Sequence, residues 1–316
     1  MNIVVLDGGT TNPGDVSWAP LEALGDVTVY GETPAANVVE RAKDADAILV
    51  NRIVLSRAVL DALPKLRYIG TLATGFNTID VRSAREKGIV VCNVPLYCVE
   101  TVAQLTFALL LHLCNHVQTL SDTTRAGGWN DAIRATHTTL PILELSGKAL
   151  GIVGFGHIGR TVAQLGRALS MRVLVYSRTR RELPAGYTWC DFETLFATAD
   201  VVSLHCPLND ETRGMVSADV LAHMKPTALL LNTARGALVD EIALADALNR
   251  GQIAGAGLDV MAEEPPRPDH PLLTAKNCVL TPHIAWASRD ARLRLIQTVA
   301  DNLRAFLEGH PVNVVS

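Results

Sequence analysis

The sequence predicts an α/β fold of two doubly wound parallel sheets, and three observations carry that expectation. Strand-like and helix-like segments alternate along almost the whole chain, the pattern of parallel strands joined by right-handed crossovers. The alternation completes one unit and starts again at Ala149. That second start is an apolar strand feeding a G-x-G-x-x-G turn at Gly154, Gly156 and Gly159, with a helix-like stretch behind it. With 316 residues, 48% of them hydrophobic, the chain has apolar material enough for two cores.

In the first third, strands are predicted at 2–6, 27–30, 47–50, 68–71 and 90–92, and helices near 19–24, 36–42, 56–62 and 81–87. The start of the chain reads as a strand, not as a signal peptide, because it lacks a charged n-region and a small-residue cleavage site. Residues 102–113 are the most apolar segment. They are interrupted by Gln104 and His112 and followed by Asn115 and His116, which makes a buried helix a better reading than a membrane span. The second unit is predicted to have six strands, at 149–153, 172–176, 201–204, 228–231, 255–260 and 279–281. A long helix at 289–308 has no strand left to serve there and is expected to cross back to the first unit. The expected division is therefore 1–99, 100–288 and a returning helix at 289–316.

In the glycine turn, Gly154 permits the tight bend, Gly156 admits a pyrophosphate to the backbone, and Gly159 lets the helix pack on its strand. The helix start at His157 and Ile158 offers N–H groups and a positive dipole end to phosphates. The motif in this setting predicts a Rossmann-like dinucleotide site. An NAD-binding unit usually places a carboxylate after its second strand for the ribose hydroxyls. Here Ser177-Arg178-Thr179-Arg180-Arg181 stands there instead, with no carboxylate before Glu182. A guanidinium suits a 2′-phosphate, so NADP is expected over NAD, with Arg178 the first candidate and Arg180 the second. A solvated basic loop is the duller alternative.

The net charge of −4 gives neither a basic footprint for nucleic acid nor a polybasic membrane patch. The six cysteines form no C-x-x-C and no metal spacing with histidine, so no metal is expected and the thiols read as reduced and cytoplasmic.

In open α/β sheets, ligands gather at the carboxyl ends of strands. Four such ends carry polar residues: His205-Cys206-Pro207, then Asn232-Thr233-Ala234-Arg235-Gly236, then Asp259 with Glu263-Glu264-Pro265, and Pro282-His283-Ile284-Ala285-Trp286. The set suits hydride transfer to a 2-oxo acid. Arg235 supplies a bidentate cation, and His283 a proton donor of the residue type whose unperturbed pKa lies near working pH. Glu264 is the carboxylate that favours and orients the imidazolium. Each has a plainer reading: a structural ion pair for Arg235, a hydrogen-bonded internal histidine for His283, a solvated loop for Glu264. His205 reads as a wall of the cofactor pocket.

These residues resemble the D-2-hydroxyacid dehydrogenase family over nearly the whole chain. The resemblance rests on Gly154 to Gly159, on Leu204 to Leu208 with Thr212-Arg213-Gly214, on Asn232 to Gly236, on Gly257-Leu258-Asp259-Val260 through Glu264-Pro265, and on Thr281 to Ile284. It implies an oxidoreductase of two Rossmann-like domains, the substrate domain flavodoxin-like and discontinuous, with Arg235 binding substrate, Glu264 its partner carboxylate and His283 the acid–base group. It also implies cofactor contacts at Thr106, Gly154, Gly156, His157, Ile158, Gly159, Ser177, Arg178, Thr179, His205, Cys206, Pro207, Thr212, Thr233, Ala234 and Asp259. Ala73-Thr74-Gly75-Phe76-Asn77 resembles the substrate-carboxylate loop of the glycerate dehydrogenase (hydroxypyruvate reductase) subgroup, and Trp286 falls beside its substrate. Gln104 and Ser177-Arg178 depart from many relatives, the latter against NAD preference.

The expectation is an NAD(P)-dependent reductase of hydroxypyruvate or glyoxylate. The alternatives are a D-lactate or phosphoglycerate type of dehydrogenase, and a corepressor-like dinucleotide sensor. A homodimer is expected through residues 101–113, continued by 116–129, an apolar helix with more surface than one domain covers.

Overall fold

The structure, a computed structural model, describes residues 1–180 and 182–316; Arg181 of the basic loop lies outside the described residues. The chain divides into two compact units, Met1–Cys98 with Ala287–Ser316, and Val99–Trp286.

The first unit alternates β1 (Asn2–Val5), α1 (Ala19–Glu22), β2 (Asp26–Val29), α2 (Val38–Ala42), β3 (Ala47–Val50), α3 (Arg57–Asp61), β4 (Tyr68–Thr71), α4 (Val81–Glu86) and β5 (Val90–Cys92). All its strand pairs are parallel, in the order β2-β1-β3-β4-β5, the flavodoxin-like arrangement. β3 and β4 are buried at every residue, as strands covered on both faces must be. The last helix, α12 (Arg289–Leu307), belongs to this unit. Its apolar stripe of Leu295, Ile296, Val299 and Leu303 is buried. Phe306 stacks 5.1 Å from Tyr68 of β4, and Arg292 grips both oxygens of Asp15 at 2.5 and 2.8 Å. The Arg292 hydrogen bond holds the Asp15 carboxyl below the usual carboxylate range.

The second unit opens with α5 (Val99–Asn115), α6 (Val117–Arg125) and α7 (Trp129–Thr136). It then alternates β6 (Ala149–Val153), α8 (His157–Ala168), β7 (Arg172–Tyr176), β8 (Tyr187–Trp189), α9 (Phe192–Thr198), β9 (Val201–Leu204), α10 (Ala218–His223), β10 (Leu229–Asn232), α11 (Glu241–Asn249), β11 (Gly255–Leu258) and β12 (Cys278–Leu280). The parallel sheet runs β12-β11-β10-β9-β6-β7-β8. Counted from β6, this is the dinucleotide-fold order with one strand added, and its direction reverses between β6 and β9.

Three details differ from the sequence pattern. The sheet has seven strands, because β8 is only three residues long and too short to show a period. β11 ends at Leu258; the Asp259 N–H still bonds to Asn232 O, and its carboxylate accepts from the backbone N–H groups of Ile284 and Ala285 in the loop beyond. The apolar side of α5 is covered inside this unit: Val102, Ala103, Phe107, Leu109, Leu110 and Leu113 are buried, and the helix packs on α8, β10 and β11. In α5 only Leu111 is an exposed large apolar side chain among the described residues, and the next ones follow at Val117, Trp129, Ile133 and Ile142. Among the described residues, no helix is long and apolar enough to cross a membrane.

Candidate active site

The glycine turn lies where the strand order reverses. Gly154 has φ +95°, and a Cβ there would stand 2.7 Å from the backbone of His205 and Cys206 at the end of β9. A Cβ on Gly159 would meet the Gly154 carbonyl oxygen at 2.1 Å, whereas the space over Gly156 is open to 4 Å. No side chain caps α8, so no cap hydrogen bond occupies the N–H groups at its start.

A cavity of about 790 Å³ extends from this turn, lined by Gly154, Gly156, Ser177, Arg178, Thr179, His205, Cys206, Pro207 and Thr212 among others. Its size, its glycine floor and its helix start fit a dinucleotide. The Thr212 hydroxyl donates to the Pro207 carbonyl at 2.8 Å and accepts from the Asn209 N–H at 2.8 Å, shaping the rim. His205 Nε2 lies 2.8 Å from Ser203 Oγ, and burial pushes the imidazole down to about 3. It is neutral at working pH, a wall and not an acid. Burial pushes the Cys206 thiol up to about 11, which leaves it unreactive.

Three other expected cofactor residues, Thr106, Thr233 and Ala234, do not line this cavity. Thr106 and Thr233 are buried with their hydroxyls 2.9 Å apart, and Thr106 also donates to Val102 O. Ala234 N–H is held by Asn232 Oδ1 at 3.0 Å. Arg178 spans part of the cavity to Glu211, Nη1 to Oε2 at 3.0 Å, with both side chains mostly exposed. Arg180 lies 4.9 Å over the Trp189 ring and does not line the cavity.

The histidine loop is built around a buried carboxylate. Asp259 accepts from Thr281 Oγ1 at 2.6 Å, Ile284 N–H at 2.9 Å and Ala285 N–H at 2.8 Å, and its carbonyl accepts from His283 N–H at 2.8 Å. These bonds hold His283 in the left-handed region at φ +54°, a conformation that costs a residue of this type about 1–3 kcal/mol. Trp286 Nε1 donates to His283 O at 2.9 Å and closes the turn. All three bonds to the Asp259 carboxylate come from residues 281–285.

His283 Nδ1 meets Glu264 Oε2 at 2.7 Å, with about a third of each side chain exposed. With Nδ1 donating to the carboxylate, Nε2 is the ring nitrogen free to serve a substrate. Arg235 is exposed; one guanidinium nitrogen donates to Ala234 O at 2.6 Å, and among the described residues no carboxylate pairs with it. The internal ion pair, the plainer reading of Arg235, does not form.

In the first unit, Ala73, Thr74 and Gly75 follow β4. Ala73 and Thr74 are tied down: Ala73 O accepts from Thr71 Oγ1 and Val94 N–H, Thr74 Oγ1 donates to Val94 O, and Thr74 O accepts from Asn93 Nδ2. No hydrogen bond among the described residues engages their three successive N–H groups, so the loop presents donors to an anion.

Sequence reasoning passed over Glu211, Glu241 and His270. The first is visible in Asn209-Asp210-Glu211-Thr212, but its partner is 33 residues away.

Residues 107–285 match the family described as D-isomer specific 2-hydroxyacid dehydrogenase, NAD binding domain. A hydroxypyruvate reductase of Blautia hydrogenotrophica is 43% identical over 323 aligned positions, covering 100% of both chains. A glyoxylate reductase of Aeropyrum pernix is 41% identical, covering 91% of this chain and 88% of its own. The solved structure of an acyclic imino acid reductase in complex with NADPH and D-Arg superposes with a TM-score of 0.88, at 31% identity and 100% coverage of both chains.

Proposed function

The chain belongs to the D-isomer specific 2-hydroxyacid dehydrogenases, and from that premise we propose that it reduces hydroxypyruvate or glyoxylate with NADPH, using His283 as the proton donor. The observation that carries the reading is the 2.7 Å contact of His283 Nδ1 with Glu264, which leaves Nε2 for the substrate oxygen. When bound, the nicotinamide supplies hydride to C2 of the oxo acid. Arg235 pairs in bidentate form with the carboxylate and carbonyl oxygens, His283 protonates the oxygen that was the carbonyl, and Glu264 keeps the ring turned. The N–H groups of Ala73, Thr74 and Gly75 are suited to an acid group. Gly154, Gly156, Gly159, His157 and Ile158 would cradle the pyrophosphate, and Ser177, Arg178 and Thr179 the ribose. His205, Cys206, Pro207 and Thr212 would wall the cleft, with Thr106, Thr233, Ala234 and Asp259 supporting the nicotinamide side. The test is a panel of 2-oxo acids assayed in parallel with NADH and NADPH; a best substrate other than a two- or three-carbon oxo acid contradicts the reading.

NADPH preference rests on Arg178. An exposed ion pair such as Arg178–Glu211 contributes about 0–1 kcal/mol, whereas a charged hydrogen bond to phosphate contributes about 1.5–3 kcal/mol, so a 2′-phosphate displaces Glu211. The expected kcat/KM ratio favours NADPH by about tenfold. Arg178→Ala abolishes that preference and Glu211→Gln raises it. Equal or better kcat/KM with NADH in the parent contradicts the assignment.

We also propose a cytoplasmic homodimer. The six cysteines are free thiols. Val117, Trp129 (66% exposed), Ile133 and Ile142 supply the apolar side chains that a two-fold interface would cover. Light scattering at micromolar concentration should give a dimer mass, and Trp129→Glu a monomer mass. A monomeric parent contradicts the proposal.

A further inference from the structure

The geometry points to Glu241, with His270 beside it, as the positioning residue that holds the Glu264 loop where His283 needs it. The inference deepens the proposed function and rests on its reading of Glu264 and His283 as an acid–base pair.

Residues 262–265 are exposed, so apolar packing does not place them. Three contacts do. The loop lies backbone to backbone on Gly236, the neighbour of Arg235: a Cβ there would fall 1.9 Å from Met261 C and 2.2 Å from Ala262 N. Glu241, the first residue of α11, accepts the Ala262 N–H with Oε1 at 2.7 Å. Its Oε2 meets His270 Nε2 at 3.1 Å, with the two side chains only 10% and 11% exposed. His270 Nδ1 accepts the Leu272 N–H at 3.4 Å, which makes Nε2 the nitrogen that donates to Glu241. One carboxylate thus clamps both ends of the loop.

The clamp reaches the acid–base pair in one further step. Glu264 Oε1 accepts the N–H of Met261, the residue before the clamped Ala262, at 3.1 Å, while Oε2 holds His283. Glu241 therefore determines where the Glu264 carboxylate stands, and Gly236 refers that position to the turn of Arg235. An acidic residue in the first helical turn also suits the helix dipole. That role alone needs no contact with Ala262 or His270, and a solvated side chain would fill it.

Among the described residues, the charged side chain that meets the His283 ring is Glu264; Asp259 meets His283 through its backbone carbonyl, which accepts the His283 N–H. Asp259 is unchanged in every variant below, so differences among them report on Glu264. The experiment follows the His283 imidazole by NMR titration and kcat against pH, in the parent, Glu241→Ala, Glu264→Gln and the double variant. Glu241→Ala should lower kcat on the order of tenfold to a hundredfold, as misplacement of a catalytic group does, with little change in the KM for NADPH. Its His283 midpoint should move toward that of Glu264→Gln, and in the Glu264→Gln background Glu241→Ala should move it no further. A Glu241→Ala midpoint equal to the parent's, beside a displaced Glu264→Gln midpoint, overturns the positioning role alone. An undisplaced Glu264→Gln midpoint overturns the acid–base pair and the inference with it. If Glu241→Ala does not fold, His270→Ala takes its place; a shift in the same direction supports the clamp, and an unmoved midpoint overturns it.

Discussion

Replacing His283 with alanine is expected to lower kcat for hydroxypyruvate reduction by about 10²–10⁴ while NADPH still binds. The reduced substrate oxygen must gain a proton as it forms, and in the proposed function His283 Nε2 is the donor. The loop survives the substitution, because Asp259 holds it through Thr281 Oγ1 and the backbone N–H groups of His283, Ile284 and Ala285, none of which is an imidazole atom. The cofactor cavity is lined by residues between Val153 and Met215 and does not include His283. NADPH fluorescence titration should therefore give a Kd close to the parent's. A kcat within threefold of the parent, or lost NADPH binding, contradicts the assignment.

Arg235→Ala is expected to raise KM for the oxo acid and lower kcat together, with kcat/KM falling by about 10²–10³. Two charge-assisted bonds to a carboxylate, at roughly 1.5–3 kcal/mol each and not fully additive, account for a loss of that size. Both constants change because the guanidinium anchors the acid and also sets the reacting carbon in place. Since Arg235 has no carboxylate partner among the described residues, its removal leaves no charge stranded, and thermal stability should stay near the parent's. Arg235→Lys should recover little, because a single ammonium lacks the planar fork. An unchanged kcat/KM in Arg235→Ala would remove this residue from the reaction.

What the sequence revealed and what it hid divide by range. The strand–turn–helix at Gly154 is a local pattern, and it is legible because the bend requires Gly154 and the close approach of the helix to the turn requires Gly159. The parallel α/β class follows from alternation in the same way. The three-residue β8 is too short to display a period and exists through its pairing with β7. The burial of α5 depends on α8, β10 and β11, so an apolar helix read alone looked like surplus surface. At the site, residue types at strand ends were readable, but their contacts were not. Asp259 reaches Ile284 and Ala285 across 25 and 26 positions, Glu241 reaches Ala262 across 21, and Arg178 reaches Glu211 across 33. No periodicity joins residues so spaced; the sheet brings them together, and a carboxylate then acts through hydrogen bonds that carry no sequence signature.

The most direct test of the acid–base pair is the pH–rate profile of hydroxypyruvate reduction in the parent and in Glu264→Gln, with one substrate at saturating NADPH. Reduction consumes the His283 proton, so the rate falls as pH rises and that proton is lost. Glu264 places a negative charge 2.7 Å from Nδ1, which favours the protonated ring; glutamine removes the charge but keeps the shape. The expected result is that the descending limb of Glu264→Gln lies at lower pH than that of the parent. Superimposable profiles would contradict the pair and leave Glu264 a solvated loop residue.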